Sequence, residues 1–168
     1  MIASRYMRRG PDAPSYRIRT AWQRLVRLPG GRWLFSRLIG WLAPYTGTMG
    51  ATVVALEPGY ARVELPDRRR VRNHLDSIHA VALMNLAELA TGLAVVVGLP
   101  ETARGIVTGL SITYHKKARG RLVAECRSAI PEVREPTDYE VTAIITDAAG
   151  DVVARAAARW RLGPRPIQ

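Results

Sequence analysis

The sequence predicts an α+β domain in which an antiparallel sheet wraps around one long central helix. Three observations lead to this fold class: two strand-like patterns before residue 66, an almost wholly apolar run at 80–98, and four more strand-like patterns after it. Strands and helices do not alternate regularly, as a parallel sheet would require. We therefore expect a single antiparallel sheet packed on the central helix.

The chain length suits one domain with a short extension. Its 168 residues, 48% of them apolar, are enough to bury a sizeable core. Residues 1–14 contain Arg and Pro with little periodicity and are predicted to form a flexible arm. We predict an N-terminal helical extension at 15–47 and the main domain at 48–163.

The extension carries apolar residues at helical intervals. Trp22, Trp33 and Trp41 belong to this pattern, which is broken by Pro-Gly-Gly at 29–31, so two short basic helices are predicted. We interpret them as a cap on the core. The alternative is an amphipathic surface for a membrane or an acyl chain, and a tunnel lined by both later tryptophans and the central helix would indicate a long acyl chain.

The strand patterns are short and separated by turn signals. Residues 51–57 and 60–65 form a predicted hairpin through Pro-Gly at 58–59. The last pattern alternates small or apolar residues with Arg155, Arg159 and Arg161, as expected of a half-buried antiparallel strand. The four strands predicted after the central helix cover residues 105–114, 121–130, 139–146 and 151–162.

The central helix carries one acid, Glu88, near its middle. Burying a carboxylate among Ala, Leu and Val costs several kcal/mol unless something compensates or uses it. Asn85, Glu88 and Thr91 lie three positions apart and therefore share one stripe of the helix. We expect this stripe to face a cleft, a partner or both.

The start of this helix is a second candidate for chemistry. We predict that it begins near Ile78, with Asp76 or Ser77 as its cap. The amides of residues 79–81 then lie at the positive end of the helix dipole, where a developing oxyanion is stabilised.

Distance along the helix decides whether these groups can act together. Glu88 follows His79 by nine residues, about 13 Å along the axis. That is too far for both to act on one carbonyl within one chain. If they serve one reaction, a second chain must bring its helix start beside Glu88, which requires a symmetric dimer.

Two sequence patterns now carry a resemblance to a known superfamily. Asn73, His79 and Glu88, spaced by six and nine positions around a long helix between strand pairs, resemble the hotdog-fold acyl-CoA thioesterases of the PaaI and 4HBT type. Ser-Ile-Thr-Tyr at 111–114, followed by a basic turn and Gly120, resembles the third strand and turn of that fold. The resemblance covers residues 20–162 and implies a hotdog fold.

Three shorter runs resemble the DUF4442 subgroup more narrowly. They are Arg-Asn-His at 72–74, Ser-Ile-His-Ala at 77–80 and Leu-Ala-Glu-Leu-Ala at 86–90. The N-terminal helical extension of that subgroup also fits residues 15–45.

The resemblance implies a thioester hydrolase with roles for four residues. Glu88 would be the general base that activates water, or the nucleophile that attacks the thioester carbonyl. Asn73 would orient the water or the carbonyl, and His79 would hold the loop before the helix. The amide of Ala80 would donate to the oxyanion. No metal is implied, and no cofactor other than the CoA of the substrate.

Substrate-binding residues are implied in the same way. Asn85 lies on the polar stripe of the helix. Some family members have a polar residue early in the third strand, and Thr108 carries the hydroxyl nearest to that position in this chain. Six basic residues would receive the phosphates of CoA or the acidic face of an acyl carrier protein. They are Arg68, Arg69, Arg70, Lys116, Lys117 and Arg119.

Departures from the family pattern leave alternatives open. The family commonly has His-Gly-Gly where this chain has His79, Ala80 and Val81, which supports a non-catalytic hotdog protein that binds acyl thioesters or a partner. Glu88 could instead be a structural acid, paired with an arginine or bonded across a dimer interface. A hydroxyacyl dehydratase using His74 and Glu88 is a further alternative, but its His-Phe-Pro and Pro-Gly motifs are absent.

Charge and cysteine content narrow the partners and the compartment. A net charge of +11 favours an anionic partner. The basic run at 68–72 lacks interleaved aromatic residues, which argues against nucleic acid. The single Cys126 excludes an internal disulfide, and residues 1–10 do not resemble a secretory signal, so we expect a cytoplasmic protein. We further expect a homodimer or tetramer, a place in fatty acid metabolism, and peripheral membrane contact through the N-terminal helices.

Overall fold

A computed structural model describes residues 13–165 and confirms the predicted fold class. One antiparallel sheet of six strands packs on a single long helix, with shorter helices before it. The predicted arm at 1–14 lies outside the described residues except for its last two positions.

Each strand pairs antiparallel with its neighbours in the order β1-β2-β4-β5-β6-β3. The inner face of β6 is buried at Ala154, Ala156, Ala158, Trp160 and Leu162, while the intervening arginines are exposed, as the alternating pattern predicts. The strands are β1 Thr52–Glu57, β2 Tyr60–Leu65, β3 Ala103–Tyr114, β4 Leu122–Arg127, β5 Thr137–Thr146 and β6 Val152–Pro164.

The central helix, α4, covers Ala80–Gly98 and contacts all six strands. Its length and composition would let it cross a membrane, but 56% of that apolar window is buried inside the fold. The interpretation as a core helix is therefore confirmed. The turn between β1 and β2 approaches α4 closely, because Gly59 N–H donates to Ala94 O at 3.1 Å and a Cβ on Gly98 would lie 2.9 Å from Gly59 N.

The N-terminal extension contains three helices rather than two. They are α1 Pro14–Leu25, α2 Gly31–Leu42 and the short α3 Pro44–Gly47. Trp22 and Phe35 pack edge to face with ring centroids 5.0 Å apart, and both belong to the buried core. Part of the extension is thus the cap that its periodicity indicated.

The start of α4 differs from the prediction. The helix begins at Ala80, and its N-cap is His79 rather than Asp76 or Ser77. Asp76 adopts a left-handed backbone (φ 52°) in a turn, and an isolated bridge pairs Arg72 with Ile78. The bridge closes a turn over residues 73–77 and fixes Ile78 opposite Arg72, so the helix starts only after it.

Strand β3 lies at the edge of the sheet, so one side of its backbone has no partner strand. A bulge between Val107 and Gly109 interrupts its pairing with β6. Ile106, Leu110 and Tyr114 are among its exposed side chains. Tyr114 Oη donates to Ala80 O at 3.1 Å, which places the start of α4 beside the end of this edge strand.

We predict that Phe35→Ala destabilises the protein by about 3–5 kcal/mol, because Phe35 is 0% exposed and its removal leaves a cavity against Trp22. The matched change Trp41→Ala, on the same helix at 76% exposure, should stay within about 0.5 kcal/mol. Urea unfolding followed by circular dichroism measures both. Equal effects of the two variants would contradict a packed α2.

Candidate functional site

The loop before α4 is closed around Asn73. Its side-chain Oδ1 accepts hydrogen bonds from Leu75 N at 2.9 Å, Ser77 N at 3.3 Å and Ser77 Oγ at 3.2 Å. Because two of these donors are backbone amides, the accepting atom must be the oxygen. The Nδ2 group of Asn73, which has no acceptor among the described residues, is therefore available to donate to a ligand.

Two neighbouring segments hold this loop in place. Ile78 N donates to Ala118 O and His79 N to Val71 O, each at 2.8 Å. Gly120 N donates to Asp67 Oδ2 at 2.8 Å. The hydrogen bond from the Arg72 guanidinium lowers the pKa of the Asp67 carboxyl below its usual value. The turn between β3 and β4 thus fixes the approach to the helix.

The first turn of α4 presents one free amide of the three predicted. Val81 N donates to His79 Nδ1 at 3.1 Å, and His79 N is used by Val71. The N–H of Ala80 has no acceptor among residues 13–165. Of the candidate oxyanion donors at 79–81, Ala80 alone keeps its amide available, at the positive end of the helix dipole.

Glu88 lies in the middle of α4 with no partner for its carboxylate among the described residues. It is half-buried, and burial raises the pKa of this carboxyl above its ordinary value. No arginine pairs with it among residues 13–165. A carboxylate in this state is a candidate for proton transfer or nucleophilic attack.

The surroundings of Glu88 include a glycine and an indole. The position that a Cβ on Gly92 would occupy lies 3.5 Å from Glu88 Oε1 and 4.0 Å from Trp160 Cζ2. Trp160 is 5% exposed, and its buried Nε1–H has no hydrogen-bond partner in the described chain. Because Gly92 has no side chain, a gap of about one methyl group separates the carboxylate from the indole.

The other polar residues of α4 do not share this setting. Thr91 is buried and its hydroxyl donates to Glu88 O at 3.0 Å, so it satisfies itself within the helix. Asn85 Oδ1 accepts from Thr46 Oγ1 of α3 at 3.1 Å. The three polar residues of the predicted stripe therefore have different surroundings. Thr91 lies in the core, Asn85 contacts the N-terminal extension, and Glu88 has no partner among the described residues. Thr108 lies in the β3 bulge and donates to Arg159 O at 3.3 Å.

A cleft of about 520 Å³ opens between the N-terminal extension and the rest of the domain. Trp33 and Trp41 line it together with Leu89 of α4. Among the described residues that line it, three are arginines and none is acidic. The arginines are Arg37, Arg68 and Arg70. Glu88, one position from Leu89 on the helix, is not among the lining residues.

The six predicted basic residues are not brought together. Arg68 and Arg70 converge beside Gly50 in the cleft, and Arg70 Nη2 donates to Met49 O at 3.4 Å. Lys116 is held by Asp147 and Asp151 at 2.7 and 2.8 Å, which removes it from the set of free cations.

The remaining three basic residues lie elsewhere on the surface. Arg119 Nε donates to Asp76 O at 3.2 Å beside the loop that precedes α4. Arg69 and Lys117 are exposed. Only part of the predicted set therefore lines the cleft.

Sequence reasoning missed three residues that surround Glu88 or line the cleft. Gly92 had a signal, because glycine inside a helix costs about 1 kcal/mol relative to alanine and often marks a need for space. Arg37 and Trp160 had none, since a basic residue on a short helix and an aromatic residue on an inner strand face are ordinary. Their roles come from contacts between distant segments.

The chain matches a family model over most of its length. Residues 31–162 match the family model "Domain of unknown function (DUF4442)". No curated protein sequence matches the chain.

Three solved structures are similar to it. A structural-genomics protein is 29% identical over 88% of this chain and 99% of its own, with a TM-score of 0.78. A Pseudomonas aeruginosa protein of unknown function, described as a probable thioesterase, is 28% identical over 82% and 97%, with a TM-score of 0.72. A thioesterase family protein from Silicibacter pomeroyi, at 19% identity over 77% and 96% with a TM-score of 0.66, shows the shared fold.

The family match spans most of the chain, and the sheet around α4 has the hotdog arrangement that the loop and helix motifs implied. The chain therefore belongs to the DUF4442 family and has the fold of the hotdog thioesterase superfamily.

Proposed function

We propose that the protein hydrolyses acyl thioesters, with acyl-CoA or acyl carrier protein as substrate and Glu88 as general base or nucleophile. The observation that carries the proposal is a half-buried carboxylate with no partner in the described chain, next to a glycine whose missing side chain leaves its Oε1 uncovered on that side. The likeness to a Pseudomonas aeruginosa protein described as a probable thioesterase supports the same reaction class.

The residues present can supply each step of hydrolysis. As a base, Glu88 takes a proton from water while the oxygen adds to the thioester carbonyl. The resulting oxyanion receives hydrogen bonds from the Ala80 amide and Asn73 Nδ2, the C–S bond breaks, and the thiolate leaves with the proton. As a nucleophile, Glu88 would attack the thioester carbonyl and expel the thiolate, forming an acyl anhydride that water then cleaves to the carboxylic acid and the free Glu88 carboxylate.

The separation along α4 makes a homodimer part of the proposal. Within one chain the Ala80 amide lies about 12 Å along the axis from Glu88, by the rise of the helix. The free edge of β3 and its exposed apolar side chains lie beside the start of α4. A second copy paired along β3 would carry its own helix start toward Glu88 of the first.

Substrate binding follows from the cleft. Arg68 and Arg70 suit the phosphates of CoA or of a phosphopantetheine arm, and Trp33 and Trp41 suit apolar or aromatic groups. Glu88 does not line this cleft in one chain. We therefore propose that the cleft recognises the substrate and does not hold the reacting carbonyl.

A second candidate function is binding of acyl thioesters without turnover. Ala80 and Val81 stand where the family commonly has two glycines, and their side chains limit close approach to the helix start. In that case acyl-CoA would bind with release of no thiol.

We predict that Glu88→Gln lowers kcat/KM for acyl-CoA hydrolysis at least about a hundredfold, because the amide cannot accept the proton of water or attack the carbonyl. Release of free thiol from acyl-CoAs of several chain lengths measures it. Glu140→Gln, an exposed acid on β5, is the matched control and should retain full activity. Wild-type activity in the Glu88 variant would overturn the assignment, and saturable binding with no turnover by the wild type would favour the second candidate.

We predict a pH-dependent stability difference between wild type and Glu88→Gln. Burial raises the pKa of Glu88 in the folded state, so folding disfavours the charged carboxylate. This penalty is absent below the ordinary carboxyl pKa of 4.5 and grows to its full size as pH rises through the folded pKa. Denaturant unfolding at several pH values should show the variant gaining stability relative to wild type over that range. A constant difference would contradict the shift.

We predict that Ile106→Lys combined with Leu110→Lys weakens self-association at least about a hundredfold, since each buried apolar side chain contributes about 1.5–3 kcal/mol. Light scattering should show monomers, with hydrolysis lost in parallel. Ile144→Lys, an exposed change on β5, is the control and should remain dimeric. A monomeric wild type that hydrolyses thioesters would refute the shared site.

A further inference from the structure

We propose that the outer face of α2 and α3 docks on an anionic lipid bilayer. This docking face consists of exposed apolar and aromatic side chains on two consecutive helices. They are Trp33, Leu34, Leu38, Trp41, Leu42 and Tyr45. Docking is independent of hydrolysis at Glu88.

The docking face lies next to the side of α2 that packs on the core. Phe35 and Ile39, one turn apart, are buried in the core. Leu34, Leu38 and Trp41 recur at three and four residues on the adjacent side, at 48%, 37% and 76% exposure. Helix α2 is thus apolar on two sides, and the second apolar side has no partner among the described residues.

The residue types on this face suit a membrane interface. Trp and Tyr combine an apolar ring with a polar atom, and they concentrate where lipid headgroups meet acyl chains. Trp41 and Tyr45 are 76% and 67% exposed, and Trp33 is 63% exposed. Interfacial helices place such residues beside arginines on the polar side.

The charge around the docking face is of one sign. Residues 13–56 contain six arginines and no Asp or Glu. Arg24, Arg27, Arg32 and Arg37 are exposed and form no ion pair in the described chain. A surface of this charge attracts anionic lipid, each Arg near the membrane adding to the affinity, and it repels a second copy of itself. Self-association is better served by the β3 edge.

The cleft opens on the same side of the molecule. Trp33, Arg37 and Trp41 belong both to its lining and to the docking face or its border. A molecule held in the bilayer could therefore reach Arg68 and Arg70 without crossing bulk water. This placement favours lipid over an acidic protein as the occupant.

Vesicle flotation with the full-length protein tests the proposal. Phosphatidylcholine vesicles with added phosphatidylglycerol should bind it, and pure phosphatidylcholine vesicles should not. Trp33→Ala combined with Trp41→Ala should weaken binding at least about tenfold, whereas Ile144→Ala should not. Glu88→Gln should bind as the wild type does, so loss of hydrolysis and loss of docking are distinguishable.

Charge variants sharpen the test. Arg27→Gln with Arg32→Gln should weaken binding roughly thirtyfold, while Arg104→Gln with Arg155→Gln, an equal loss of charge on the sheet, should change it far less. Equal weakening by both pairs would indicate net charge rather than this face and would overturn the proposal. So would absence of binding, or tryptophan variants that change only the oligomeric mass measured by light scattering.

Discussion

The packing of α4 against the sheet is the constraint on which the rest of the structure depends. An antiparallel sheet with one apolar face must bury that face, and α4 supplies an almost uniformly apolar cylinder to cover it. The same packing places Glu88 where water is scarce, and burial raises the pKa of its carboxyl. The packing that stabilises the fold therefore also raises the pKa of the acid at the middle of the helix.

The loop before α4 connects this core to the sheet edge. Asn73 closes the loop with its side-chain oxygen, Ala118 and Val71 anchor its backbone, and Tyr114 ties the helix start to β3. Because these contacts fix the surrounding loop, the Ala80 amide and the Asn73 amide group, neither of which has an acceptor among the described residues, are held in defined positions. Preorganised donors of this kind are what an oxyanion requires.

The N-terminal extension contributes differently. Its inner side chains, Phe35 and Trp22 among them, complete the core, while its outer side chains leave a tryptophan-rich basic surface beside the cleft. The cap and the amphipathic surface, which the sequence presents as alternatives, are two sides of the same helices. A short helix can serve both because buried and exposed residues alternate along it every three or four positions.

The sequence by itself determined the fold class, the strand order along the chain and the presence of an acid inside an apolar helix, because periodicity and composition are local properties. It placed the start of α4 two residues early and expected three free amides where one remains, since the bridge between Arg72 and Ile78 joins segments that local propensity cannot pair. Only the tertiary structure decided that Lys116 is neutralised by two aspartates, that Thr91 is buried, and that Arg37 lines one cleft with Arg68 and Arg70. Those outcomes depend on contacts between residues far apart in the chain, which no local pattern encodes.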